Sequence, residues 1–392
     1  MTDGRSVFDF AMPIERRQPW PSQKWQRYDS DVLPLWVADM DFASPPAVIE
    51  ALHRRVEHGV FGYGRIPDSL RDSLCGWSDT HYGWGIEPRS QVWLPGVVPA
   101  LHLACQALTE PGDGIMTVTP IYPPFLKVAC QHGRQSQTVP LSAPSTSGDE
   151  WSLDAEAIEA TIRPETRMLL WCHPHNPTGH IWRDWELSVV AELAERHDLI
   201  IVSDELHCDL LLDEGACHQP LAYRFPELAE RIVTLWAPSK TFNLAGLTCA
   251  CAVIPDRALR QRFMAGTRGL RPEPNIMGLV AAEAAYLHGE PWRQALLETL
   301  RSNRSQLSSA VTNWSGAELH WPEATYLAWL DLRNTGLGES PTIPLLNSGR
   351  VALSDGADFG WPGFARLNFG TTPDRLAEAL WRLGQMMSAS SQ

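Results

Sequence analysis

Short apolar runs alternate with amphipathic stretches through the middle of the sequence. Apolar positions at helical spacing occur in three stretches, residues 48–59, 97–113 and 183–198. Nearly continuous apolar segments, typical of buried strands, occur in five others, 114–120, 167–174, 198–205, 231–239 and 247–255. Strands that are apolar on both faces and separated by helices favour a mostly parallel sheet covered by helices. The pattern therefore predicts an α/β fold.

The pattern changes after about residue 275. A long helical segment over roughly 277–312 precedes TYLAWLDLR (325–333), where alternation with period two predicts a strand. FARLNFG (364–370) then leads into a helix expected from Pro373. The start of the chain is rich in Pro and Trp and has no clear period. We predict three parts: an N-terminal arm (1–46) that packs with the small domain, a large domain (47–275) and a small α+β domain (276–392).

Composition narrows the partners of this protein. The 392 residues carry a formal net charge of −14, and an acidic surface disfavours nucleic acid and anionic membranes. No apolar run is long enough to span a membrane, and no signal peptide is visible. The eight cysteines are scattered and predict reduced thiols rather than a disulfide framework or a metal site. We predict a cytoplasmic protein without metal, nucleic-acid or membrane partners.

Polar residues follow three of the predicted strands. Asn176, Asp204 and Lys240 each come just after an apolar run, at intervals of 28 and 36 residues. Each interval accommodates one helix and one strand, so all three could line one cleft at the carboxyl edge of the sheet. Singly, each has a plainer explanation, since Asn-Pro-Thr-Gly is a good turn and a strand-end aspartate is often a helix cap. Their common order and spacing favour one site.

These residue types suit pyridoxal 5′-phosphate (PLP). A lysine amine can hold the cofactor covalently as a Schiff base, and a carboxylate keeps the pyridine nitrogen protonated. The sequence has only three lysines, Lys24, Lys127 and Lys240, and only Lys240 follows a predicted strand in this order.

Longer stretches resemble a known family over nearly the whole chain. They are FDF (8–10), LPLWVADMDF (33–42), FGYGRIPDSL (61–70), LPGVVPAL (94–101), EPGD (110–113), IYPPF (121–125), HPHNPTG (173–179), SDELH (203–207), APSKTFNLAGL (237–247), EATYLAWLDLR (323–333) and ARLNFG (365–370). Together they resemble the class I/II aminotransferases of PLP fold type I, and more narrowly the MalY/PatB subfamily of cystathionine β-lyases, or C–S lyases. The resemblance implies a PLP enzyme with a large domain and a smaller α+β domain.

The resemblance also implies roles for individual residues in catalysis. Lys240 corresponds to the Schiff-base lysine and proton shuttle, and Asp204 to the partner of the pyridinium. Asn176 corresponds to the donor to the phenolate oxygen, which also borders the substrate. Tyr122 corresponds to the aromatic that stacks on the ring, although plain packing would also account for a tyrosine there.

Further cofactor contacts are implied around the phosphate. The amides of Val97 and Val98 at a helix start, together with Ser239, would face the phosphate. His207 stands where many of the wider family have tyrosine and is a further cofactor contact. Tyr63 corresponds to a tyrosine that reaches the phosphate from the other subunit, which implies a homodimer; the alternative is an aromatic in a turn.

The substrate side is implied by the same resemblance. Arg366 corresponds to the arginine that clamps the α-carboxylate bidentately, unless it forms a surface ion pair. Val37 and Ala38 correspond to substrate contacts. The arm sequence, ERRQPWPSQKW, and the short segment DFGWPGFAR depart from the family pattern near the substrate. A changed substrate is therefore expected. Trp20 or Trp25 of the arm would then border the leaving group; the alternative is that these tryptophans only pack against the small domain.

The activity implied is PLP-dependent β-elimination. An L-cystathionine or related cysteine S-conjugate would yield pyruvate, ammonia and a thiol. An aminotransferase of a small amino acid would use the same residues and is the alternative. A PLP-binding regulatory partner is a third reading, which the presence of Lys240, Asp204 and Arg366 disfavours.

Overall fold

The computed structural model of the chain describes residues 8–144 and 150–389. The α-helices are α1 (Gln23–Gln26), α2 (Pro46–His58), α3 (Asp68–Tyr82), α4 (Val97–Leu108), α5 (Pro123–Gln131), α6 (Ala155–Thr161), α7 (Asp184–Arg196), α8 (Leu221–Arg224), α9 (Pro238–Thr241), α10 (Arg257–Gly266), α11 (Ile276–His288), α12 (Glu290–Val311), α13 (Thr342–Asn347) and α14 (Pro373–Ala389). The strands are β1 (Leu33–Pro34), β2 (Gln91–Leu94), β3 (Gly114–Thr119), β4 (Gln135–Pro140), β5 (Thr166–Cys172), β6 (Ile200–Asp204), β7 (Ile232–Trp236), β8 (Ala250–Val253), β9 (Glu318–His320), β10 (Leu327–Asp331), β11 (Val351–Ala352), β12 (Ser354–Asp355) and β13 (Phe364–Asn368). No helix in these two ranges is both long enough and apolar enough to cross a membrane.

The central sheet has seven strands in the order β2-β8-β7-β6-β5-β3-β4. Only β8 runs antiparallel to its neighbours, so the other six strands end at the same edge. Strand β7 is buried along its whole length, as is expected of a strand covered on both faces. The predicted α/β fold, mostly parallel and flanked by helices, is confirmed.

Register brings the ends of three neighbouring strands level. Cys172 at the end of β5 pairs with Asp204 at the end of β6, and Asp204 pairs in turn with Leu235 of β7. The residues that follow these strands therefore emerge side by side. The carboxyl edge of an open α/β sheet is where ligands bind, so this register positions the candidate site.

A second, antiparallel sheet has the order β12-β13-β10-β9. The arm reaches this half of the chain through β1, where Leu33 pairs with Val351 of β11 in parallel register. Arg350 strengthens the contact by binding Asp31 and Asp29 of the arm. The boundaries at residues 46 and 275 remain predictions.

The helical segment expected over 277–312 is two helices rather than one. Helix α11 ends at His288, Gly289 caps it, and α12 begins at Glu290. Pro291 has no N–H to donate to the preceding turn, so it fits the first turn of a new helix better than the interior of a long one. A Cβ at position 289 would also lie 2.5 Å from the carbonyl oxygen of Ala285.

Candidate active site

Lys240 lies beside the ends of the central strands. It belongs to the short helix α9, which follows β7 directly after Ala237. Its Nζ donates a hydrogen bond of 2.6 Å to the carbonyl oxygen of Ala38 in the arm. Burial, and secondarily the positive charge of Arg366, lower the pKa of Lys240 to about 8. Near neutral pH a larger fraction of this amine than of an ordinary lysine is therefore uncharged and nucleophilic.

The other two lysines lie away from the ends of the central strands. Lys24 is fully buried, with its Nζ 3.0 Å from an oxygen of Asp41 and 2.8 Å from the carbonyl oxygen of Asp39. Lys127 lies exposed on α5. Lys240 is thus the lysine whose amine lies among the strand ends.

Asp204 ends β6 in a buried position. One of its oxygens accepts the backbone N–H of Leu206 at 3.1 Å. Burial raises the pKa of Asp204 to about 7, although that hydrogen bond and the charge of Lys240 act in the opposite direction. A buried carboxyl in this condition is stabilised as an anion when a cationic partner is placed against it.

The adjacent Glu205 is also buried, but unlike Asp204 it has several hydrogen-bonding partners within the protein. Its carboxylate binds His218 at 2.8 Å and also accepts from Ser203, Trp236 and the backbone of Leu221. Although burial opposes it, the hydrogen bond and charge of His218 hold the pKa of Glu205 below its ordinary value. Glu205 is a structural anion with its own partners, and Asp204 is the one left for a ligand.

Arg366 and Asn176 meet at the end of β5. Nη1 of Arg366 donates to Oδ1 of Asn176 at 3.0 Å, and Nη2 donates to the carbonyl oxygen of Trp36 at 3.2 Å. Arg366 is only 4% exposed, and its buried Nε has no partner among the described residues. Burial lowers its pKa to about 10. A buried guanidinium of this kind, to which no carboxylate of the described residues is bound, suits an incoming substrate carboxylate.

The start of α4 supplies a candidate phosphate site. The strand that precedes this helix is β2. It runs parallel to β7, because both are antiparallel to β8, which lies between them. The helix begins at Val97 and has no side-chain cap at Gly96, so the first N–H groups, including that of Val98, remain available to an anion. Ser239 stands next to Lys240 in α9, which follows β7 at the same edge of the sheet.

Tyr122 and His207 are also in this region. Tyr122 follows β3 and its pKa is raised, mainly by burial, with Arg366 and Asp204 as the nearby charges. His207 is 4% exposed, and burial lowers its pKa to about 3, so the ring is neutral. Its Nδ1 has no partner among the described residues.

Tyr63 lies elsewhere. Its side chain is fully exposed and lines a surface cavity together with Met264 and Arg271. No hydrogen bond or ring contact among the described residues joins Tyr63 to the residues above. Its predicted role concerns the site of a second copy of the chain.

Sequence reasoning missed several residues that hold the arm against the site. Asn368 donates to the carbonyl oxygens of Val37 (2.7 Å) and Asp39 (2.9 Å), and Tyr326 donates to that of Ala38 (3.2 Å). The side-chain amide of Asn243 accepts the backbone N–H of Met40 and donates to the carbonyl oxygen of Met40. Asn368 was detectable, because residues i and i+2 of a strand share a face and Arg366 is its neighbour on β13. Nothing in the local sequence indicates the other two.

A cavity of about 500 Å³ extends from this site toward the arm. Among the residues that line it are Tyr122, Arg366, Val37 and Trp36. Trp20 and Trp25, which were expected to border the leaving group, are placed apart from this cavity. Trp25 is buried and donates to Asp41 at 2.8 Å, and Trp20 is 64% exposed; neither lines the cavity.

Comparison with known proteins gives consistent matches over almost the full length. The profile of the class I and II aminotransferases matches residues 30–383. Cystathionine β-lyase PatB of Bacillus subtilis is 37% identical over 389 residues, which is 95% of this chain and 98% of the relative. The crystal structure of OvoB is 39% identical with a TM-score of 0.92, covering 97% of this chain and 100% of that one. Cystalysin from Treponema denticola, which contains a PLP cofactor, is 27% identical with a TM-score of 0.92, covering 98% and 99%.

Proposed function

Because the chain belongs to the class I and II aminotransferase family, we propose that it is a PLP-dependent C–S β-lyase acting on L-cystathionine or a related cysteine S-conjugate. The resemblance to the MalY/PatB subfamily is confirmed. The observation that carries the proposal is the level ending of three strands, which gathers Asn176, Asp204 and Lys240 at one edge of the sheet.

The residues of this cleft fit PLP. Lys240 offers an amine with a pKa of about 8. Asp204 offers a buried carboxyl whose pKa is raised to about 7, and a cationic partner such as the pyridinium would stabilise its anion. Arg366 donates to the amide oxygen of Asn176, so the NH₂ group of Asn176 is the part of this side chain that would donate to the cofactor. The start of α4 and Ser239 would hold the phosphate. When bound, PLP supplies an electron sink that stabilises negative charge at the substrate Cα.

The chain's own groups then account for the steps of elimination. Arg366 binds the α-carboxylate and fixes the substrate orientation. Lys240 takes the proton from Cα, the Cβ–S bond breaks and the thiol leaves with a proton. The released 2-aminoacrylate is hydrolysed by water to pyruvate and ammonia. Asp204 keeps its negative charge against the cofactor throughout.

An aminotransferase would use the same side chains, so product analysis decides between the two. The lyase names of the relatives favour elimination. We expect the holoenzyme to form pyruvate from L-cystathionine at the same rate with and without an added 2-oxo acid. A requirement for the 2-oxo acid would instead assign an aminotransferase.

Arg366→Lys is expected to reduce kcat/KM by about 10- to 100-fold, because lysine keeps the charge and loses the planar fork that binds two carboxylate oxygens. The loss should appear mainly in KM and should be similar for cystathionine, cystine and S-methylcysteine, since the α-carboxylate is common to them. Steady-state kinetics with the three substrates tests this. A change in their ranking, without a common loss, would show that Arg366 contacts the leaving group instead.

We infer that the enzyme is a homodimer with shared sites. Tyr63 follows a segment with three apolar side chains that are more than half exposed, Val56 (55%), Val60 (62%) and Phe61 (56%). Several large apolar side chains exposed in one segment are typical of an interface.

Tyr63→Phe is expected to weaken PLP binding about tenfold, because it removes one hydrogen bond to a charged phosphate, while sedimentation still gives a dimer. Tyr223→Phe, which alters another exposed tyrosine, serves as the matched control and should leave PLP affinity unchanged. A monomer by sedimentation, with normal PLP affinity in Tyr63→Phe, would refute the shared site.

A further inference from the structure

The cavity that leaves the active site has one charged wall contributed by the arm. Arg366 and Tyr122 of the candidate site line it, and Arg27 and Tyr28 of the arm line it as well. Because Arg366 is predicted to hold the α-carboxylate, the remaining space is where the sulfur substituent of a cysteine conjugate would lie.

Arg27 is held in this wall by aromatic rings. Its guanidinium carbon lies 4.7 Å from the ring centroid of Trp36 and 5.6 Å from that of Tyr28. The two rings themselves meet edge to face at 6.2 Å. Stacking on aromatic faces orients a guanidinium while leaving its N–H groups at the edge to bind an anion.

No carboxylate among the described residues forms an ion pair with Arg27. The nearby acids of the arm already have partners: Asp29 and Asp31 bind Arg350, and Asp39 and Asp41 bind Arg16. Arg27 is therefore a charged group in a substrate-sized cavity, and the described residues of its own segment supply no acidic partner to it.

We propose that Arg27 binds a carboxylate on the leaving group, so that the preferred substrates are cysteine S-conjugates whose sulfur substituent is acidic. This inference rests on the proposed lyase function and names the substrate class of the same site. The Arg27–carboxylate contact is made on the departing thiol, away from the bonds that break, so Arg27 sets specificity rather than chemistry.

Two acids also line the cavity and limit where the carboxylate can lie. Asp355 accepts hydrogen bonds from the hydroxyl of Thr342 and the backbone N–H of Ala357. Asp358 is exposed on the same turn. A second carboxylate is repelled beside them and attracted to Arg27, while an ammonium group on the same substituent is compatible with their charge.

A pair of matched substrates tests the proposal. S-(2-carboxyethyl)-L-cysteine and its amide, S-(2-carbamoylethyl)-L-cysteine, have nearly the same shape and differ in charge. We expect the holoenzyme to prefer the acid by about tenfold in kcat/KM, the lower end of what a hydrogen bond to a charged group provides, because Arg27 is exposed to solvent. The preference should decline as salt concentration rises.

The variant Arg27→Gln should bring the acid-to-amide ratio close to one. The ratio is the readout because any loss common to both substrates cancels. Arg54→Gln is the matched control, since it removes the same charge from an exposed arginine that pairs with Glu50 on α2. It should retain the ratio of the unmodified enzyme.

Binding provides an independent measurement. 2-Aminopimelate and its ω-amide replace the sulfur with CH₂ and cannot eliminate, so calorimetric titration of the holoenzyme measures recognition alone. We expect the same preference for the acid and its loss in Arg27→Gln. A wild-type ratio near one in both assays, or an unchanged ratio in Arg27→Gln, overturns the role of Arg27. If none of the conjugates releases pyruvate, the lyase function fails, and the titration still decides whether Arg27 selects an acid.

Discussion

A Lys240→Ala variant is expected to lose the covalent attachment of PLP and to turn over at least about 10³ times more slowly, since one residue both binds the cofactor and transfers the proton. The absorbance of the lysine-bound cofactor should disappear. Lys240 is the lysine among the strand ends, whereas Lys24 is buried against Asp41 and Lys127 is exposed on α5.

Borohydride reduction followed by peptide mapping measures the attachment directly. The unmodified enzyme should carry the cofactor on the peptide that contains Lys240. Lys127→Ala is the control and should keep both colour and activity. Recovery of the label on Lys24 or Lys127 would contradict the assignment.

The second large effect is expected at Asp204. Asp204→Asn removes the preorganised negative charge beside the cofactor, and turnover should fall by about 10²- to 10³-fold, the usual cost of losing such a group. Near-normal turnover in Asp204→Asn would refute the role of this carboxylate.

In the cofactor-free protein the same substitution should be favourable, because it should raise the stability of the fold near pH 8. The pKa of Asp204 is raised by burial to about 7. Between about pH 4 and pH 7 the unfolded chain has released this proton while the folded chain retains it, so stability decreases as pH rises through that window. Asparagine cannot ionise. The cofactor-free variant should therefore unfold at a higher temperature than the unmodified protein near pH 8, and at the same temperature near pH 4.

Glu205→Gln provides the matched control for this pH dependence. Glu205 is also buried, but its charge is satisfied by His218. Its removal should lower the unfolding temperature near pH 8, since it leaves buried donors without their acceptor. If Asp204→Asn also lowered the unfolding temperature there, Asp204 would be a structural anion like its neighbour.

The sequence predicts the strand-end part of the site well for a physical reason. Parallel strands end at one edge, so a residue that follows an apolar run of known direction has a predictable location. This argument alone was enough to predict that Asn176, Asp204 and Lys240 lie together. Their assignment to PLP depended on the family resemblance, because residue types at strand ends suit several chemistries.

The arm could not be placed in the same way. Its position depends on hydrogen bonds between its carbonyl groups and side chains about 200 to 330 residues away, such as Asn243 and Asn368. These contacts have no period and no local motif. For the same reason the sequence did not indicate that Arg27 and Trp36, rather than Trp20 and Trp25, line the cavity. All four lie in or next to an aromatic-rich segment without a regular pattern.

Product balance from L-cystathionine, without any 2-oxo acid, tests the central claim most directly. The claim is that this chain, through Lys240, breaks the Cβ–S bond by elimination. Over many turnovers, pyruvate, ammonia and free thiol should appear in equal amounts, and none should form with Lys240→Ala. Product that stops after one equivalent per active site, or a 2-oxo acid that still contains the sulfur, would contradict it.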